Sequence, residues 1–380
     1  MLNKPKKMNK KMRDLRIQFL VDTPGSGLLE WITPPVIALR GWIAALLIEK
    51  RKWSPLPWKH RLRAWRHGFS SFVYHLYELQ DNSPDDYIPD LVSQRFGRNL
   101  NGPYTEIIRS KVAFGRLMKS LDAPQPALLG ILIRGYFYPE NGDASESLGA
   151  IYSLLKKGKK LVLRPSFGGG GVGIFFLEQT QEGYLVNRLA VDSNTLETLL
   201  RPLHDYLVTE FVNQATYSAE IAPGSTNTLR ILTLWDFDTN RPFIAASCHR
   251  FGMQTSGPLD NFHQGEGGLS APIDLATGEL GKAVIVRDRK IMRLSHHPDT
   301  GKAIEGVVVP DWHQTTEELL TLAAKFPYAP CVGWDLVKLD EGWVCLEGNS
   351  TPGYSVWQVH GPILSDPRAR RFYQESGMIT

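Results

Sequence analysis

Residues 331–353 read Cys-Val-Gly-Trp-Asp-Leu-Val-Lys-Leu-Asp-Glu-Gly-Trp-Val-Cys-Leu-Glu-Gly-Asn-Ser-Thr-Pro-Gly, and this stretch decides the fold. It contains two short strand patterns joined by Asp340-Glu341-Gly342. A three-residue hairpin loop ending in Gly puts that Gly in the left-handed region. In this register Leu339 faces Trp343 and, counting back, Asp335 faces Glu347. Asn349 lies two residues beyond Glu347 and therefore points to the same side. Opposed like charges destabilise a strand pair unless a cation sits between them. Two carboxylates and an amide oxygen suit Mg²⁺, which binds through one or two carboxylates together with substrate phosphates. The competing reading is a surface hairpin with solvated acids, and a two-residue loop would break the register.

If phosphates are involved, a second element must hold them. Leu161-Val162-Leu163-Arg164-Pro165-Ser166-Phe167-Gly168-Gly169-Gly170-Gly171-Val172-Gly173-Ile174-Phe175-Phe176-Leu177-Glu178 reads as a strand, a glycine loop and a second strand. Gly168, Gly170 and Gly173 match a dinucleotide-binding spacing, with Asp192 about twenty residues on. That fingerprint requires a helix directly after the loop, and Ile174-Phe175-Phe176-Leu177 is β-like. A Walker loop also fails, because no Gly-Lys-Ser/Thr follows. What remains is a glycine flap whose unobstructed N–H groups can close over phosphates, with Arg164 beside it. The alternative is a glycine-rich hairpin without a ligand.

The chain of 380 residues is 42% hydrophobic and 22% charged, ordinary for a globular protein. Cys248, Cys331 and Cys345 are widely spaced, which argues against a disulfide scaffold or zinc site and fits a cytoplasmic location. The net charge of +4 hides an asymmetry. Residues 1–66 hold fifteen Lys/Arg against four Asp/Glu, leaving the rest of the chain at −7. Five of the ten tryptophans, Trp31, Trp42, Trp53, Trp58 and Trp65, lie in the same segment. The leading reading is a helical domain with a basic face. Peripheral contact with the inner face of a membrane through residues 1–66 stays open. Nucleic acid ranks last, since no recognised motif accompanies the charge. The apolar run Trp42–Ile48 is too short to span a bilayer, and no cleavable signal follows it.

Residues 1–12 are a Lys-rich tail expected to be disordered. Three regions are expected: a basic, Trp-rich, mainly helical part over 1–103, a lobe with the glycine flap over 104–205, and a lobe with the metal hairpin over 206–380. Helices are expected at 60–79, 105–121, 193–203 and 317–325. Strands are expected at 127–133, 160–164, 173–178, 184–188, 206–212, 227–236, 242–249 and 283–286. Strands and helices alternate without a βαβ rhythm, so the fold class is α+β. Arg230, in the strand pattern Asn227–Leu234, sits among apolar neighbours and needs a carboxylate or a ligand anion. Arg250 ends the next strand. Asn261-Phe262-His263-Gln264-Gly265-Glu266-Gly267-Gly268 is a polar, glycine-rich loop. His249 and His263 could transfer protons, although a positional role is the stronger reading for each. His296-His297 reads as loop chemistry, and Ser166 has no base beside it to make it a nucleophile.

These pieces in this order resemble the ATP-grasp superfamily, and most closely its sugar-transfer-associated family, with a relation to the glutamate-ligase branch. The resemblance covers about Ser110 to Val359. It implies an ATP-grasp fold, with two α+β lobes gripping ATP, preceded here by a helix-rich region in place of the usual Rossmann-like domain. It implies ATP and Mg²⁺ as cofactors. Lys111, Arg164 and the flap glycines Gly168, Gly169, Gly170, Gly171 and Gly173 match phosphate contacts, with Arg164 where D-alanine–D-alanine ligases have Lys. Val208-Thr209-Glu210-Phe211-Val212 looks like the hinge holding adenine and ribose, so Glu210 and Val212 match nucleotide contacts. Asp335, Glu347 and Asn349 match the metal positions. Arg230 and Arg250 become the expected catalytic residues, and Asn261, His263, Gly267 and Gly268 the expected substrate contacts. The implied reaction is ADP-forming ligation of a carboxylate and an amine through an acyl phosphate, joining an amino acid or amine to a sugar acid in cell-surface polysaccharide synthesis. Alternatives are an amino-acid or peptide ligase, or a phosphotransferase without an amine step.

Overall fold

Glycine and serine punctuate the N-terminal helices. In the computed structural model, which describes residues 56–142 and 146–379, α1 (Trp58–Arg66) and α2 (Ser71–Leu76) replace the single helix expected over 60–79. Gly68 lies between them at φ 75°, where a side chain would be strained and the helix ends. Ser70 caps α2, its Oγ accepting from the Val73 N–H at 3.4 Å. The apolar residues still point inward, and Phe69, Phe72 and Leu76 are buried. Expectations for the Lys-rich tail and the apolar run at 42–48 lie outside the described residues.

After α3 (Asp90–Phe96), the helix expected over 105–121 is two, α4 (Thr105–Arg109) and α5 (Lys111–Ser120). Ser110 interrupts them with an extended ψ of 106° and caps α5 through the Ala113 N–H at 3.2 Å.

The first sheet is built from β1 (Leu128–Ile133), β2 (Tyr136–Pro139), β3 (Glu146–Ser147), β4 (Leu161–Pro165), β5 (Phe175–Gln179), β6 (Tyr184–Val186), β7 (Leu189–Val191) and β8 (His204–Glu210). Its order is β3-β2-β1-β8-β4-β5-β6-β7. Helices α6 (Gly149–Lys156) and α7 (Ser193–Leu200) contribute Ile151, Leu155, Leu196 and Leu200 to its core. Strand β8 lies between β1 and β4, so a boundary at 205/206 cuts through a strand of the first sheet.

After α8 (Thr216–Ile221) the second sheet takes β9 (Leu229–Asp236), β10 (Arg241–Phe251), β11 (Leu269–Pro272), β12 (Ala283–Arg287), β13 (Lys290–Leu294), β14 (Cys331–Lys338) and β15 (Trp343–Asn349). Their order is β13-β12-β11-β10-β9-β14-β15. Helix α9 (Trp312–Ala323) starts five residues before the pattern at 317–325. Ile108, Phe114 and Met118 from α4 and α5 are buried in this second core. The segment expected to open the first lobe therefore packs with the second.

The chain ends with α10 (Ser355–Gln358) and α11 (Pro367–Glu375). Gln358 accepts from the Ile88 N–H at 2.7 Å and donates to its carbonyl at 3.0 Å, clamping the N-terminal helical part to this tail. Residues from Ser54 onward accordingly form one compact unit.

The closing hairpin reaches the expected pairing by another route. At the loop Lys338, not Leu339, pairs with Trp343. The buried Lys338 ammonium donates to the carbonyls of Leu339 at 3.0 Å and Gly342 at 3.1 Å, and to Asp311 at 3.1 Å, so it organises a four-residue loop. A bulge then inserts Leu346, because Leu336 pairs with Cys345 while Asp335 pairs with Glu347. The extra residue restores the register, and Gly333 pairs with Asn349.

Candidate functional site

Strand β4 delivers Arg164 and runs into the flap. Gly168, Gly170, Gly171 and Gly173 have φ of 113°, 71°, 75° and 76°, a left-handed run that side chains disfavour. The flap lies against the second lobe. A Cβ at Gly171 would meet Asn261 Nδ2 at 2.4 Å and Leu259 Cδ1 at 2.5 Å, and one at Gly170 would lie 3.6 Å from His263 Cε1. Lys111, the first residue of α5, ties the flap down. Its N–H donates to the Ser166 carbonyl at 2.9 Å and its Nζ to the Gly168 carbonyl at 2.7 Å. The same Nζ stands 3.4 Å from Glu347 Oε2. Arg164 is buried and donates to the carbonyl of the bulged Leu346 at 3.1 Å. Burial pulls its pKa down, opposed by Glu347. Its Nε and the Ser166 hydroxyl are buried without a hydrogen-bond partner, so donors on this wall are uncommitted.

The opposite wall is a chain of buried ions. Asp335 is 5% exposed, and its two oxygens accept from Arg230 Nη1 and from Arg250 Nη2, the latter at 2.9 Å. Burial pushes the Asp335 carboxyl up, but the two guanidinium groups outweigh it and hold the pKa below the usual range. Arg250 also donates to Thr228 Oγ1 at 3.0 Å from Nε and 2.6 Å from Nη2, and lies 3.4 Å from Asp260. Asp260 accepts from the Thr228 N–H at 2.8 Å and hydroxyl at 2.6 Å. Burial raises the Asp260 pKa, with Arg250 opposing.

Between these walls is an open cleft with about 880 Å³ of empty space. Lys111, Arg164, Gly168, Gly169, Gly170, Gly171, Glu210, Val212, Arg250, Asn261, Asp335 and Glu347 line it, so most of the expected site residues come together. Glu210 ends β8 and Val212 follows it, and both belong to the lining. The Glu210 N–H donates to the Ala127 carbonyl at 3.0 Å, and its carboxylate pairs with Lys159. Arg230, Asn349, Gly173, His263, Gly267 and Gly268 stand outside the lining. Arg230 is turned to Asp335 and covered by the Trp357 ring at 5.5 Å. The Asn349 amide donates to the Gly333 carbonyl at 3.2 Å. Gly267 and Gly268 are fixed by backbone packing, since a Cβ would meet the Asn261 carbonyl at 2.2 Å and the Phe251 carbonyl at 2.5 Å. His249 is buried among Tyr217, Phe251 and the Arg250 backbone.

The sequence reading missed Thr228, Asp260, Leu259 and Leu346, which also line the cleft. Asp260 had a local signal, its place beside Asn261 in a polar loop. Leu346 had none, because it enters the cleft by way of the bulge.

Gly348 is set by packing. A Cβ there would lie 2.8 Å from Phe114 Cε2 and 3.1 Å from Ile108 Cγ2. Gly348→Val is expected to cost about 1–3 kcal/mol through overpacking, read as a lower urea midpoint. An unchanged midpoint would show that α5 yields freely.

Among the described residues no three His, Cys, Asp or Glu side chains gather as a metal cage. The donor set nevertheless suits Mg²⁺. Asp335 and Glu347 are directly paired and both reach the cleft. Each oxygen of Asp335 can accept from an arginine and still offer its second acceptor site to a cation.

A family model described as sugar-transfer associated ATP-grasp matches residues 91–371. No curated protein matches the chain. Among solved structures, the ATP-grasp ligase PsnB complexed with a minimal precursor is similar at 11% identity and TM-score 0.37, over 73% of this chain and 64% of that one. An ADP complex of purK, N5-carboxyaminoimidazole ribonucleotide synthetase, is similar at 8% identity and TM-score 0.35, over 66% of this chain and 46% of that one. D-alanine–D-alanine ligase from Bacillus anthracis is similar at 12% identity and TM-score 0.38, over 82% and 78% respectively. The family match spans the flap, the hinge and the carboxylate hairpin, and the chain belongs to the sugar-transfer associated ATP-grasp family.

Proposed function

We propose that the protein is an ATP-dependent carboxylate–amine ligase of the cytoplasm, working through an acyl phosphate on a sugar acid and an amino acid or amine. The observation that carries this reading is the pairing of walls in one cleft. Lys111, Arg164 and the flap share the cleft with the carboxylates of Asp335 and Glu347, and Glu210 and Val212 line it too. The family's description supports the saccharide class.

Lys111, Arg164 and the N–H groups of Gly168–Gly171 and Gly173 hold the phosphates, and Glu210 and Val212 hold the nucleoside. Mg²⁺ held by Asp335, Glu347 and Asn349 would offset phosphate charge. The substrate carboxylate, positioned by Asn261 on the loop that His263, Gly267 and Gly268 shape behind it, attacks the γ-phosphorus, giving ADP and an acyl phosphate. The amine then attacks the acyl carbon and phosphate leaves. Arg250, oriented by Thr228 and Asp260, stabilises charge on the transferring group, and Arg230 acts through Asp335.

Incubation with ATP, Mg²⁺ and a panel of carboxylates and amines is expected to give ADP and an amide. Glu347→Gln is expected to lower ADP formation by roughly 100-fold or more. AMP as product would overturn the acyl-phosphate step, and ADP without an amine requirement would indicate a phosphotransferase.

A further inference from the structure

We infer that the outward face of α1 is a docking surface for anionic lipid headgroups. The helix reads Trp-Lys-His-Arg-Leu-Arg-Ala-Trp-Arg, with four Lys/Arg and no acid. It buries Ala64 and Trp65 and leaves Trp58 61% exposed. The exposed indole is braced, its ring edge-on to Trp65 at 5.4 Å. Lys59, Arg63 and Arg66 are exposed and occupy positions i, i+4 and i+7, a single stripe, and the exposed Trp58 stands about a quarter-turn round the helix from it. None of the three has an ion-pair partner among the described residues. Arg61, between them, points its Nε back to the Leu56 carbonyl at 2.9 Å.

The chain leading into α1 carries the same net sign. Residues 1–57 carry eleven Lys/Arg and four Asp/Glu, together with Trp31, Trp42 and Trp53. Chain and helix therefore repeat one sign, and both call for an anionic partner. Indole rings settle at the headgroup level of a bilayer, and basic side chains beside them pair with acidic lipid. Among the described residues no helix is long and apolar enough to cross a membrane, so the contact is peripheral. The surface is also firmly mounted. Asp90 accepts from the Ser70 N–H at 2.8 Å and hydroxyl at 2.7 Å, and the Gln358 clamp on Ile88 ties this part to the second lobe. Docked headgroups would hold the whole compact unit at the bilayer, whatever reaction the cleft performs.

The test is co-sedimentation of the full chain with vesicles of phosphatidylcholine, alone and mixed with phosphatidylglycerol. Binding is expected only to the mixed vesicles and should weaken with added salt. Lys59→Gln/Arg63→Gln/Arg66→Gln is expected to lower partitioning by roughly 100-fold, about fivefold per charge. Trp58→Ser should lower it without changing the salt dependence. If the triple variant melts early, Arg66→Gln alone gives the same reading at about fivefold. Equal binding to neutral vesicles, or full binding by both the triple and single variants, overturns the proposal. Tighter binding to duplex DNA than to mixed vesicles, lost with the same substitutions, overturns it in favour of nucleic acid.

Discussion

Asp335→Ala is expected to lower the unfolding free energy by roughly 3–5 kcal/mol, because it strands buried cations. Arg230 and Arg250 are 7% and 8% exposed, and each makes an ion pair with this carboxylate. Without it, Asp260 at 3.4 Å is the remaining ion-pair partner of Arg250 among the described residues, and Arg230 loses its ion pair. Desolvating a guanidinium without a counterion costs far more than an exposed ion pair returns. Urea denaturation of the single variant measures the loss. A paired variant, Asp335→Leu with Arg230→Met, should recover part of it, since removing both charges removes the desolvation problem along with the attraction. A loss under about 1 kcal/mol for Asp335→Ala would mean that solvent reaches the ion chain and screens the stranded cations.

This stability effect changes how the carboxylate pair should be probed. Loss of turnover in Asp335→Ala would not separate a missing ligand from a disturbed core. Glu347 is the cleaner site. Its side chain is 24% exposed and its ion-pair partner is Lys111 at 3.4 Å. Replacing it takes the ion pair from Lys111, whose ammonium keeps the Gly168 carbonyl, and the opposing charge from the buried Arg164, a smaller loss than stranding both Arg230 and Arg250. A stable Glu347→Gln variant that also lost its melting-temperature rise with ATP and Mg²⁺ would tie the carboxylate to ligand binding directly.

The hairpin shows how much of such a site a sequence carries. The alternation of side chains put Asp335 opposite Glu347, and the strands pair them. The sequence pattern leads to that pair through a loop one residue shorter than the real one. Two features cancelled. Lys338 enlarges the loop by feeding its ammonium to loop carbonyls, and the Leu346 bulge adds the compensating residue. Neither leaves a local pattern, because a buried lysine and a bulge are both defined by what they meet in three dimensions. The glycine flap was legible for the opposite reason. A left-handed run demands glycine at the positions themselves, so Gly168, Gly170, Gly171 and Gly173 announce it. The allegiance of Thr105–Ser120 was hidden. Its apolar spacing shows that one face is buried, but not that Phe114 rests on Gly348 of the second lobe. The partnership of Arg230 with Asp335 was half visible, since an arginine in a buried strand requires an anion, and strand order decides which one.

Acid unfolding should carry the mark of His249. The ring is 1% exposed and stacks on Phe251 at 4.2 Å. Nδ1 lies 3.2 Å from the Arg250 carbonyl, which can only accept, so Nδ1 holds the proton. Nε2 then accepts from the Tyr217 hydroxyl at 2.9 Å. A second proton on Nε2 would force the Tyr217 hydroxyl to turn and accept, and burial pushes the pKa from 6.5 down to about 3. The unfolded chain binds that proton once the pH drops below about 6.5, while the folded chain refuses it until about 3. The contribution of His249 to stability is therefore whole above pH 6.5 and falls by about 1.4 kcal/mol per pH unit below it. Between pH 6.5 and 4.5 the loss is about 3 kcal/mol. Other groups titrate in the same window, and Asp260, whose pKa is raised, works in the opposite direction. The comparison that isolates the imidazole is the wild type against His249→Phe/Tyr217→Phe. That pair removes the titrating ring together with the hydroxyl that depends on it, so no new orphan is left between them. Urea midpoints at a series of pH values should show the variant's stability falling less steeply by about 1.4 kcal/mol per unit. Parallel profiles would mean that the folded protein admits a proton at His249, through water or a rearranged Tyr217, and that the second core is looser at β10 than its packing indicates.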